Sequence, residues 1–194
     1  IDHFRERILT SLNSEKRPLI IVCSSYIHGE GKSVLAASLV KSFSRIHSKV
    51  LLMETDPWCD LPNRFVPISQ RNNTLGISDF IINGCDLDDT MYYPAEESFA
   101  IIPRGNKVDA PYDMLNSAKL ISAINQKLND FSVIIIDAPT ITQFPELDKL
   151  LLDKGVLILA VSHNAKIKQL FKIKEFIKRF SLTNKLGLIL TRNI

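Results

Sequence analysis

Apolar residues along this chain fall into two patterns. Residues 19–23, 50–53, 99–102, 133–136, 156–161 and 186–190 form short runs rich in Ile, Val and Leu, with little alternation. Such runs predict strands buried on both faces, as in a parallel sheet. Longer segments between them repeat with a helical period. Val34, Leu35, Ser38, Leu39 and Ile46 fall on or near one stripe. Leu120, Ile121, Ile124 and Leu128 form a second, and Ile167, Leu170, Phe171, Ile177 and Phe180 a third. Strand–helix alternation implies right-handed crossovers and helices on both sides of the sheet. The expected fold is therefore α/β, a three-layer sandwich with a mostly parallel central sheet. Ligands in such folds bind beyond the carboxyl ends of the strands.

An N-terminal helix is expected over residues 1–16. Residues 57–100 read as an irregular connection broken by Pro57, Pro62 and Pro67. Asn72, Asn73, Gly84 and Asp86 mark turns there, and a short helix is expected near 77–82. The 194 residues suit a single domain over 1–194. Opening on Ile1 rather than Met, the chain is expected to be a piece of something longer.

Composition narrows the function classes. With 45% hydrophobic and 23% charged residues, the chain is ordinary globular protein rather than disordered. A net charge of +3 is too small to make nucleic acid the default partner. Cys23, Cys59 and Cys85 are odd in number and lack CxxC spacing, so reduced thiols in a cytoplasmic compartment are expected. No apolar run reaches the roughly 20 residues of a membrane helix, and no signal peptide is visible.

The first run leads into Tyr26-Ile27-His28-Gly29-Glu30-Gly31-Lys32-Ser33 and then a helical segment. Strand, glycine-rich turn and helix are the setting of a phosphate-binding P-loop. Gly29 and Gly31 let backbone N–H groups turn toward an anion, and the helix start adds its positive end. Lys32 is placed to reach the β- and γ-phosphates, and Ser33 to ligate Mg²⁺. Gly31-Lys32-Ser33 alone is equally compatible with an ordinary glycine-rich turn; its place between a buried strand and an amphipathic helix favours the phosphate loop. The first of the eight positions, usually Gly, is Tyr26.

Two further strand ends carry acids. The second run leads into Glu54-Thr55-Asp56, suited to Mg²⁺ and water positioning, though a solvated acidic turn reads the same way. The fourth ends in Asp137 before Ala138-Pro139, the Walker B arrangement, although an Asp there also caps helices. Three such strand ends in this order carry more weight than any one.

With these blocks, nearly the whole chain resembles the bacterial tyrosine kinases, P-loop proteins of the deviant Walker class. Gly76-Ile77-Ser78-Asp79-Phe80-Ile81 looks like that family's helix after the second acidic strand end. Ile101-Ile102-Pro103-Arg104-Gly105, followed by Pro111-Tyr112-Asp113-Met114-Leu115, resembles another family stretch, and residues 186–190 its last core strand. The resemblance implies ATP and Mg²⁺ as cofactors. It implies Lys32, Glu54, Asp56 and Asp137 as catalytic, with Gly29, Glu30, Gly31, Lys32, Ser33, Val34 and Thr191 around the nucleotide. Ser33, Asp56 and Asp137 would hold the metal, and Glu146 sits where a further family Asp is expected. It further implies exopolysaccharide or capsule production, a membrane polysaccharide co-polymerase as partner, self-oligomerisation, and a location at the inner face of the membrane through a flanking segment or that partner.

Several positions depart from the family pattern. Tyr26 replaces a small residue, His28 a common Pro, and Trp58-Cys59 an Arg pair. Thr191 stands where an Asn commonly reads the base. Ile27 occupies the place of the signature Lys of plasmid-partition and division-site ATPases, against that branch. The family's ring-building acid–x–x–Arg–x–x–Arg motif appears as Asp2, Arg5 and then Ile8, with Arg7 adjacent but out of register. Its C-terminal tyrosine cluster does not fall within these residues, either because the tail was trimmed or because the chain does not autophosphorylate in the usual way. Two alternatives therefore stand beside a phosphoryl-transferring enzyme: a non-catalytic regulatory module docked on a co-polymerase, and an ATPase switch that dimerises on ATP. Tyr92-Tyr93 reads as packing, with a phosphorylation substrate the other possibility, and the Lys-rich last helix as a solvated face, with anionic lipid the other possibility. His28 and His163 have no triad partners in the sequence pattern.

Overall fold

All six apolar runs become strands in the computed structural model, which describes residues 1–11, 18–47, 49–59, 66–67, 74–95, 97–152, 155–179 and 186–191. They are β1 (Leu19–Ser25), β2 (Val50–Glu54), β3 (Ala100–Ile102), β4 (Val133–Asp137), β5 (Val156–Ser162) and β6 (Leu186–Thr191). The strands form one sheet in the order β3-β2-β4-β1-β5-β6. Every pairing between these strands is parallel, so the sheet is wholly rather than mostly parallel. One antiparallel bridge, Tyr92 with Ile101, lies outside the named strands.

Helices cover both faces, which is why strand residues pointing either way are apolar. On one face, α1 (Asp2–Ser11) and α2 (Lys32–Ser44) contribute Ile8, Leu35, Leu39 and Phe43 against Ile21, Leu52, Ile135 and Ile158. On the other lie α3 (Ile77–Asn83), α4 (Pro111–Asn116), α5 (Ala118–Lys127), α6 (Ile167–Arg179) and a 3-10 turn over Leu147–Leu151. Pro111 opens α4, where a missing N–H costs nothing. The Ser117 hydroxyl caps α5 by accepting from Lys119 N–H at 3.2 Å.

Two of the expected helical stripes are out of register with the burial found. α2 buries Leu35, Ala36, Leu39, Val40 and Phe43, leaving Val34 and Ile46 exposed. α6 buries Ile173 and Phe176, leaving Ile167, Leu170 and Phe171 exposed. On α5 the expected pair Leu120 and Ile124 is buried, with Ile121 and Leu128 packed partly against the core. Pro62, Asn72, Asn73, Phe180 and residues 12–16 of the expected first helix lie outside the described residues.

The irregular connection is anchored by a polar lock. The Asp79 carboxylate, in the first turn of α3, accepts from Gly76 N–H at 2.9 Å, Asn106 N–H at 3.2 Å and Asn106 Nδ2 at 2.7 Å. Gly105 lies against it with φ +84°. This lock joins two of the blocks that carry the family resemblance.

α1 is fastened to α2. Arg5 Nη1 donates to Ser42 O at 2.7 Å and Ser42 Oγ at 3.1 Å. Ser42 Oγ donates to Asp2, whose carboxyl is held below the ordinary carboxylate range by that bond and, less, by Arg45 and Arg5. Within this chain, then, Asp2 and Arg5 of the shortened ring motif face α2, and Ile8 enters the core.

Candidate functional site

The strand order brings the three candidate strand ends together. β1 sits beside β4, and β4 beside β2, so Cys23 is level with Asp137 and Asp137 with Glu54. Residues scattered over more than a hundred positions of sequence therefore meet at one rim of the sheet. Thr55 ties that rim: its N–H donates to Asp137 O at 2.9 Å and its hydroxyl to the same oxygen at 3.2 Å.

The loop from Tyr26 curls into α2 through Gly29 at φ +80° and Gly31 at φ +83°, a region that side chains resist. Lys32 opens the helix and is buried. Its ammonium lies 2.5 Å from Asp56 Oδ2, 3.8 Å from Asp137 Oδ1 and 3.4 Å from Ser33 Oγ. Burial would push this ammonium's pKa down, but Asp137 and then Asp56 more than reverse it, and the pKa ends above the ordinary lysine value. Asp56 Oδ1 also accepts from Trp58 N–H at 3.0 Å. Glu54 is buried at the end of β2. The neighbouring Cys23 thiol is pushed well up by burial and by Asp137, which keeps it protonated and unreactive.

Glu30 is buried, and its carboxylate is turned into the protein. One oxygen accepts from Tyr26 and Ile27 N–H, each at 3.0 Å. The other accepts from Ser162 N–H at 3.2 Å and Gln169 Nε2 at 2.5 Å. This side chain therefore folds the loop and ties it to the end of β5 and to α6. Thr191 supports the loop from below, its hydroxyl donating to Glu30 O at 2.9 Å. Thr142 Oγ1 donates to Tyr26 O at 3.0 Å from the segment after β4. Val34 is exposed in the first turn of α2, and Glu146 lies at the start of the Leu147–Leu151 turn, apart from the Lys32 contacts.

Gln169 and Thr142 are not legible as site residues in the sequence, because each acts through one contact made by the crossing of distant segments. Trp58, which the sequence marks only as a departure from the family's Arg pair, packs its ring edge-on against Tyr112 of α4, centroids 5.3 Å apart, while its N–H donates to Asp56.

Replacing Glu30 by Gln tests the clamp. The amide keeps the volume but loses the charge and turns N–H groups toward N–H donors. Unfolding free energy in denaturant is expected to fall by about 2–3 kcal/mol. A change near zero would mean that the loop is held by other contacts.

The donor set suits Mg²⁺: Asp56, Asp137 and Ser33 oxygens all surround the one point that the Lys32 ammonium occupies. Mg²⁺ prefers hard oxygen, and one or two carboxylates plus phosphates and water suffice. Among the described residues no group of three or more His, Cys, Asp or Glu could hold a metal unaided.

No protein-family model matches the chain. The CapB protein of Staphylococcus aureus is 26% identical over 137 residues, 71% of this chain and 58% of that protein. The tyrosine-protein kinase CpsD of Streptococcus agalactiae is 27% identical over 128 residues, 66% of this chain and 55% of that protein. The chain thus spans a little over half the length of these relatives. The kinase domain of the Escherichia coli tyrosine kinase ETK superposes with a TM-score of 0.81 at 14% identity, covering 97% of this chain and 72% of that one. The solved structure shows the fold, and the sequence relatives, at 26% and 27% identity, show what the chain is similar to: it resembles bacterial tyrosine kinases in sequence and shares the fold of their kinase domain.

Proposed function

We propose that this chain is an Mg-ATP-binding domain that transfers a phosphoryl group to tyrosine in a bacterial capsule or exopolysaccharide system, working with a membrane co-polymerase and with other copies of itself. The observation that carries this reading is the buried Lys32 ammonium, set between Asp56 and Asp137 at the head of the P-loop helix. Backbone N–H groups around Gly29 and Gly31, with Lys32, receive the β- and γ-phosphates. Ser33, Asp56 and Asp137 hold Mg²⁺, which when bound offsets phosphate charge. Val34 and Thr191 border the nucleotide.

In the transfer, the phenol oxygen of the acceptor forms a bond to the γ-phosphorus and the bond to the ADP oxygen breaks. The carboxylate of Glu54 at the β2 end takes the phenolic proton, Asp56 being engaged with Lys32 and the metal. Catalysis rests on positioning and charge neutralisation rather than on a covalent protein intermediate. No helix among the described residues is long and apolar enough to cross a membrane, so in this reading the membrane is reached through the partner or through a flanking segment.

A second reading, a non-catalytic regulatory module, is favoured by Thr191. Its hydroxyl bonds Glu30 O and Val161 O, where family members commonly place an Asn on the base. Incubation with Mg-ATP and a tyrosine peptide separates the readings. Micromolar ATP binding with phosphotyrosine formed is expected. ADP release without phosphotyrosine would point to an ATPase switch, and no binding at all would leave the regulatory module.

A further inference from the structure

We infer that α6 carries a docking face for an anionic lipid surface. Residues 166–179 hold Lys166, Lys168, Lys172, Lys174, Lys178 and Arg179 against the single acid Glu175, a net +5. The whole chain carries +3, so the remainder is net −2 and this helix is a local basic patch. Glu175 is itself bonded to Lys172 at 2.9 Å.

A solvated basic face would be polar throughout, and this one is not. Ile173 and Phe176 turn into the core, so the opposite, outward stripe runs Ile167, Phe171, Lys174, Lys178. Ile167 is 73% exposed and Phe171 61%, and Leu170 beside them is exposed as well. Three large apolar side chains within two turns, edged by lysines, are not the scattered single residues of an ordinary surface. The sheet extends the patch. Leu188 and Leu190 pair in register with Leu159 and Val161, which lie in the same core cluster as Ile173 and Phe176. They therefore share the sheet face that α6 covers, yet Leu190 is 75% exposed.

Apolar side chains that enter the acyl boundary while lysines reach phosphate headgroups are the signature of an interfacial helix. Charge selects the occupant: an anionic bilayer offers both the apolar layer and the negative charge that a neutral bilayer or a second copy of this net-positive face lacks. Gln169, on the buried side of the same helix, holds Glu30 of the P-loop at 2.5 Å. A docked α6 would thus set the nucleotide rim beside the bilayer.

The test is co-sedimentation of the 194-residue chain with vesicles of phosphatidylcholine and phosphatidylglycerol at about three to one, compared with phosphatidylcholine alone. Binding to the anionic vesicles only, weakened by added salt, is expected. Ile167→Ser with Phe171→Ser, and separately Lys174→Glu with Lys178→Glu, should each weaken it roughly tenfold or more. These side chains face outward, so unchanged circular dichroism and thermal midpoint are expected to show the variants folded. Equal binding to both vesicle types, no binding to either, or variants that bind as the parent does would overturn the proposal. So would light scattering showing a dimer that Phe171→Ser dissolves, since a second copy would then cover the face.

Discussion

Lys32→Ala is expected to weaken Mg-ATP binding by about 100-fold or more, read by calorimetric titration. A charge-assisted contact to phosphate is worth about 1.5–3 kcal/mol, and about 2.7 kcal/mol is a hundredfold. The same change strips the cation from between Asp56 and Asp137, both buried. Removing one side of a buried pair typically costs about 3–5 kcal/mol, because the charge left behind is uncompensated. Two outcomes follow. Without metal the variant should melt well below the parent. Added Mg²⁺ should then raise its melting temperature more than it raises the parent's, since the dication takes the place of the missing ammonium. In the parent, the Lys32 pKa lies above the ordinary lysine value of 10.5. Its stabilising contribution is therefore complete below that value and is lost only as pH climbs through the higher folded value. The ion pair persists across the neutral range. ATP binding that survived the substitution would remove the phosphate-loop reading, and unchanged stability would show that the two carboxylates are compensated elsewhere.

Gly105→Ala should cost the fold more than any exposed substitution. Gly105 has φ +84°, where a side chain adds about 1–2 kcal/mol of strain. A Cβ there would stand 2.3 Å from Asp79 Oδ2 and 2.7 Å from Ser78 Oγ. Asp79 cannot yield cheaply, since its carboxylate holds Gly76, Asn83 and Asn106. A total near 3–4 kcal/mol is expected, a fall of about 6–16 °C in melting temperature for a chain of this size. The mechanism makes a sharper forecast for a double-mutant cycle. Asp79→Ala destabilises alone, yet it also removes the oxygen that the added methyl group would strike. The double variant should therefore lose clearly less than the sum of the two single losses. Simple additivity would mean that the clash is relieved by a backbone shift and that the lock does not bind these blocks together.

Local pattern is enough for the strands. Unbroken runs such as Val133 to Ile136 can only be buried on both faces, so a parallel α/β sheet follows from the pattern within a few residues. The P-loop is legible for a related reason. Gly29 and Gly31 stand where backbone must curl, and Lys32-Ser33 follow at once in the same turn. The helix faces are less legible. On α6, Ile167, Leu170 and Phe171 have the period of a core stripe, but the helix turns Ile173 and Phe176 to the sheet instead. Apolar periodicity states that a face exists, not which body covers it.

The alternation of buried strands and helices, the glycine-rich turn ahead of Lys32-Ser33 and the acids at the strand ends are each written in neighbouring residues, and so can be read before any fold is known. Three other features exist only once the chain has folded. Asp56 and Asp137 converge on Lys32, Glu30 faces inward to Gln169, and Asp79 locks Gly76 to Asn106. The physical reason is common to all three: side-chain hydrogen bonds and ion pairs act over about 3 to 4 Å. Which distant residues come within that range is set by strand order and helix crossing, which no local stretch of sequence contains.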